Sequence, residues 1–171
     1  MSGFEEDVLY ETDDDEFRQS DYMRIRTDNE RVIEQFGEYL GKKGTPEEKI
    51  FRILGNADYF LNSYLLDVMD APASSGPSLA FSFFDEFLVE AGFAEEEFYR
   101  GMLSSVKRLY SFMAETGRIP LGSFEEMKRM LNDKKPYWIE MCNSRKYAGR
   151  PENDPDSGPE MTDVTEDSLL F

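Results

Sequence analysis

Lys107 and Arg108 stand side by side in SVKRLYSFMAETGRI, residues 105–119, with Tyr110 and Phe112 beside them on what reads as one helix. Cations at helical spacing neutralise phosphates and release counterions, which gives affinity for a polyanion without reading its sequence. The composition argues against such a surface, since 36 acidic residues face 19 basic ones for a formal net charge of −17. Position resolves the conflict. Residues 1–30 hold eleven acids and three bases, residues 31–99 thirteen and five, and residues 150–171 seven and one, whereas residues 100–149 hold ten bases and five acids. An electropositive surface is therefore available on the later half of an anionic chain. Tyr110 and Phe112 are expected in the core rather than stacked on bases.

Other chemistry is thinly represented. The chain has no histidine, which removes imidazole acid/base work, Ser-His-Asp and Cys-His nucleophiles and the common zinc sites. Glu95, Glu96 and Glu97 are consecutive, so on a helix they point in different directions, wrong for a paired acid/base site and suited to a solvated helix start. Asp13-Asp14-Asp15-Glu16 contains ligands for a hard cation, but without a scaffold it reads as a solvated like-charge run. Cys142 is the single cysteine, expected buried and inert in a reducing compartment. No enzyme activity, cofactor or metal is expected. No run approaches the ~20 apolar residues that span a bilayer, and MSGFEEDVLYETDDDE is acidic where a signal peptide is basic and then apolar. The expectation is a cytoplasmic protein with no membrane partner.

The elements that must position these residues are helical. Thr27 and Glu30 form a capping-box pattern ahead of Val32, Ile33, Phe36, Tyr39 and Leu40, which predicts a helix over 28–41. Thr45-Pro46-Glu47-Glu48 opens a central helix with Ile50, Leu54, Ala57, Leu61 and Leu65 on one face, widened by Phe51, Phe60 and Tyr64. After the connection APASSGP, Ser78 caps a segment apolar almost all round, which packs on several neighbours or offers an aromatic surface. Residues 94–116 predict the longest helix, with Phe98, Met102, Val106, Leu109 and Met113 inside and Arg100, Ser104, Lys107 and Ser111 outside. Ser123 opens a short helix and Pro136 a last one. Residues 1–26 predict an acidic disordered arm in which Phe17, Tyr22, Met23 and Ile25 could form a short docking helix, residues 27–146 a helical domain, and residues 147–171 an acidic disordered tail. The fold class expected is all-α, a compact bundle of about five to six helices.

The order GKKGTPEEKIFRILGNADYFLNSYLL, a loop, LAFSFFDEFLVEAG, then SSVKRLYSFMAETGRIP is similar to the core-binding, SAM-like N-terminal domain of tyrosine recombinases, the phage-integrase class. The resemblance covers residues 31–120. It implies a SAM-like bundle whose helix faces contact the phosphates of duplex DNA, and the matching positions are Lys42, Lys43, Lys49, Arg52, Lys107, Arg108 and Arg118. Recombinase catalysis needs a further domain with arginines, a histidine and a tyrosine nucleophile, and about fifty residues without histidine follow here. A non-catalytic DNA-associated module is the expectation. Those cations read alternatively as solvated residues paired with Glu47, Glu48 and Glu115.

The acidic segments support a second expectation, a protein-interaction or regulatory module in which they compete with nucleic acid, in cis as autoinhibition or in trans as a DNA mimic. The stretch EDSLLF, residues 166–171, resembles peptides that dock into sliding clamps, with Glu166 where that type has glutamine. Leu169, Leu170 and Phe171 are its candidate anchors for a protein partner.

Overall fold

The computed structural model describes the backbone of residues 7–148 and the side chains of residues 14–145. Among the described residues the chain is all-helical. Five rods follow one another. Helix α1 is Asp7–Lys42. Helix α2 spans 47–66, with Glu47–Asp58 continuing as a wider π-helical stretch, Tyr59–Leu66. Helix α3 spans 73–90, opening on a 3-10 turn and widening again over Phe83–Phe87. Helices α4, Glu96–Glu115, and α5, Leu121–Ala148, complete the order.

The core is aromatic and lies where α2, α3, α4 and α5 meet. Phe83 sits with its ring centroid 4.9 Å from each of Phe60, Tyr64 and Phe84, and Phe84 stacks on Trp138 of α5 at 5.3 Å. The π-helical stretch explains why Phe60, Leu61, Asn62, Tyr64, Leu65 and Leu66 are all buried. An extra residue per turn swings the apolar stripe around the rod, so α2 faces α1 on one side and α3 and α4 on the other. Buried polar ends are satisfied: the hydroxyls of Tyr64, Tyr99 and Tyr110 donate to the carbonyls of Leu79, Phe84 and Ala73 at 3.0, 3.1 and 2.7 Å, and Trp138 Nε1 donates to Asp85 at 3.0 Å. Tyr110 and Phe112 are core residues, as expected. Met102, Val106, Leu109 and Met113 form the inner face of α4, and Cys142 is buried, which pushes its thiol pKa up. The segment apolar all round does pack on several neighbours, touching Tyr59 of α2, Tyr99 of α4 and Trp138 of α5.

Three boundaries differ from the sequence expectation. Residues 7–26 belong to α1 rather than to a disordered arm. Ile25 and Asn29 are buried, Tyr22 donates to Asp67 at 2.7 Å, and Asn29 donates to Asn62 at 2.9 Å, so tertiary contacts along α2 hold a helix that the acidic sequence alone would not. The docking residues are Tyr22 and Ile25; Phe17 and Met23 are exposed. Thr27 is not a cap but a mid-helix residue whose hydroxyl donates to the Met23 carbonyl at 2.9 Å. The helix expected from Ser123 begins two residues earlier, at Leu121, but it is not short, and Pro136 begins no new helix because α5 runs through it. Its buried stripe, Met127, Leu131, Trp138, Ile139 and Cys142, continues across Pro136, and packing on α3 and α4 offsets the ~3 kcal/mol an internal proline costs. Phe51, expected on the apolar face of α2, is 80% exposed. Residues 149–171, with Leu169, Leu170 and Phe171, lie outside the described residues, as do residues 1–6.

Candidate nucleic-acid interface

Helix α4 is the middle of a three-helix face. Asn56 of α2 donates to Ser105 at 3.0 Å on one flank, and Lys107 donates from Nζ to Asn132 of α5 at 3.0 Å on the other. Between those flanks α4 turns Arg100, Ser104, Lys107 and Ser111 outward, all exposed or half-buried, because its inner positions are taken by Met102, Val106, Leu109 and Met113 at the complementary phase of the 3.6-residue repeat; Arg108 is half-buried, with its Nε enclosed.

The cations concentrate along the α4–α5 seam. Lys107 is half-buried. Burial is the main reason its pKa is lowered, and the positive charges of Lys135 and then Lys128 lower it further. Two turns along α4, Arg100 shares an open groove of about 410 Å³ with Lys135, Pro136, Ile139, Glu140 and Asn143. On the other flank Lys49 and Arg52 are exposed, two turns and one turn before Asn56 on the same edge of α2. Arg100 is the partly neutralised member, since it pairs with Glu96 at 2.7 Å. Among the described residues Lys49, Arg52, Lys107, Lys128 and Lys135 form no ion pair, so none of these five is held by Glu47, Glu48 or Glu115.

The seven residues singled out by the recombinase resemblance sort into two groups. Lys49, Arg52, Lys107 and Arg108 lie on α2 and α4 at this face. Lys42, Lys43 and Arg118 lie elsewhere, around the C-terminal ends of α1 and α4. Lys42 is in the last turn of α1, where a cation complements the helix dipole. Lys43 Nζ sits 5.1 Å from the centroid of the Tyr39 ring. Arg118 follows Gly117, whose φ of 73° is left-handed and closes α4 with bonds from Arg118 N to Met113 O at 2.8 Å and Gly117 N to Ala114 O at 3.1 Å. That turn aims Arg118 at α1, where it donates to Gln35, lies over the Phe112 ring at 5.1 Å and reaches Thr116 at 2.5 Å. Its guanidinium is engaged in joining α1 to α4.

Lys128, Asn132 and Lys135 were missed residue by residue. The recombinase likeness stops at residue 120, before α5, and a helix break expected at Pro136 hid the common face of Lys128, Asn132 and Lys135. Their signal was present in the excess of bases over residues 100–149.

No carboxylate or thiol cluster among the described residues could hold a metal ion, and no helix among them is long and apolar enough to cross a membrane. No family model, curated protein or solved structure matches the chain.

Proposed function

We propose that the protein is a non-catalytic helical module akin to the core-binding domain of tyrosine recombinases, and that it associates with duplex DNA through the outer face of α2, α4 and α5. The observation that carries this reading is the gathering of Lys107, Lys128 and Lys135 at one seam with no carboxylate among the described residues paired to them. Like charges held together raise one another's cost of ionisation, and a chain with 36 acids has carboxylates enough to neutralise them. A row of phosphates supplies the missing countercharge from outside. The recombinase likeness is supported by the order of helices over residues 31–120 and by the phosphate-contact positions it shares with the face, Lys49, Arg52, Lys107 and Arg108.

The test is fluorescence anisotropy of a labelled duplex. It uses the full-length chain with the seven carboxylates of residues 150–171 replaced by their amides, so that overall repulsion does not mask the face. Binding at about 50 mM salt is expected, weakening with a log–log slope of about −3 to −5 as four or five phosphates are released. No binding under those conditions would remove the proposal.

A further inference from the structure

The cation seam runs toward the end of α5, and the chain that follows α5 is its electrostatic complement. Residues 150–171 carry Glu152, Asp154, Asp156, Glu160, Asp163, Glu166 and Asp167 against Arg150 alone. The seam offers Lys107, Lys128 and Lys135, then Arg100 at the groove, with Glu140 the one like-charged residue on the groove's lining. Reach decides whether one can serve the other. From Asn132, beside Lys107, to Ala148 at the end of α5 is about 24 Å at 1.5 Å per residue. Residues 149–171 have a contour length of at most about 80 Å, so the whole seam lies within their reach. The other acidic stretch is placed differently: α1 meets α2 through Tyr22 at Asp67 and through Gly37 at Leu54, so Asp14, Asp15 and Glu16 lie toward the end of α2 opposite Lys49 and Arg52.

We propose that residues 150–171 dock in cis along the α4–α5 seam, their carboxylates against Lys107, Lys128, Lys135 and Arg100, and thereby compete with DNA for the same face. The competition rests on the DNA reading above; the docking itself is measurable without DNA.

Zero-length carbodiimide coupling of the full chain, read by peptide mass spectrometry, gives the direct test. Amide links are expected from carboxylates of residues 150–171 to Lys128 or Lys135, within one molecule and unchanged on dilution. In parallel, the chain with those seven carboxylates converted to amides should bind duplex DNA at least tenfold more tightly than the native chain. A control in which the seven carboxylates from Asp13 to Glu30 are converted instead should gain clearly less. Absent links, or links that vanish on dilution, overturn the docking. Equal gains in both amide variants overturn the competition, leaving general repulsion as the cause. Intramolecular links in a chain that binds no DNA in any of the three forms overturn the DNA reading and the competition with it, while retaining the docked segment.

Discussion

Gly76 and Tyr110 show how little slack the interior has. A Cβ built on Gly76 would stand 1.7 Å from the Tyr110 hydroxyl, which is itself fixed by its bond to the Ala73 carbonyl. Gly76→Ala is therefore expected to destabilise by about 2–4 kcal/mol in urea unfolding, because either the phenol or the start of α3 must move. A change below about 0.5 kcal/mol would contradict this packing. Ionisation gives a second residue-scale expectation. Burial pushes Tyr99 up to about 12 from its ordinary 10.0, and Tyr110 moves in the same direction. A folded value above the unfolded one means that the stability is intact below pH 10 and is lost as pH climbs toward 12. Lys107 acts oppositely, since its lowered pKa makes the charged form costly at neutral pH, a cost relieved as pH rises toward 10.5. The tyrosines outnumber it, so the urea midpoint should fall above pH 10, and Tyr99→Phe should flatten that fall. At neutral pH, Lys107→Gln is expected to keep Tm or raise it by about 1–3 °C while weakening DNA binding.

At the scale of elements, α5 separates two accounts of the later half. As one rod through Pro136, it lacks the bond that an N–H at residue 136 would make to the Asn132 carbonyl. Pro136→Ala should then stabilise by about 1–3 kcal/mol in urea unfolding. A proline that opened a separate helix would be neutral or favourable where it stands, so a loss of stability on replacement would contradict the continuous rod. The difference matters for function, because continuity puts Lys128, Asn132 and Lys135 on one edge facing α4. Helix α1 makes the same point from the other end of the chain. The spacing of Val32, Phe36 and Leu40 made its second half legible, whereas residues 14–24 have too few apolar side chains to announce a helix. Their order comes through Tyr22 to Asp67 and Asn29 to Asn62, contacts between residues more than thirty positions apart. The capping signal misled at Thr27, because a hydroxyl three residues before a glutamate is equally at home inside a helix that tertiary packing extends, whereas at Ser123 it fell two residues inside the helix start at Leu121.

Across the whole molecule, the helical class and the inner face of α4 were readable from periodicity, since burial and the 3.6-residue repeat are local consequences of sequence. The assembly of the cationic face was only half readable. The sign of the later half was visible as a count, whereas Lys49, Arg52, Lys107 and Arg108 entered only as positions that the recombinase resemblance implied. The meeting of Lys107 with Lys128 and Lys135 depends on how α4 and α5 cross, which no spacing within either helix encodes. The engagement of Arg118 with Gln35 is likewise a tertiary fact. The central claim is that this one face, rather than cationic charge in general, holds DNA. Its most direct measurement compares two full-length variants of equal charge, both with the carboxylates of residues 150–171 converted to amides. One carries Lys107→Gln, Lys128→Gln and Lys135→Gln; the other carries Lys42→Gln, Lys43→Gln and Lys134→Gln. The account predicts that the seam variant loses at least tenfold in duplex affinity at about 50 mM salt and flattens the salt slope by about 2–3, while the second variant loses about threefold or less. Equal losses in the two would contradict it.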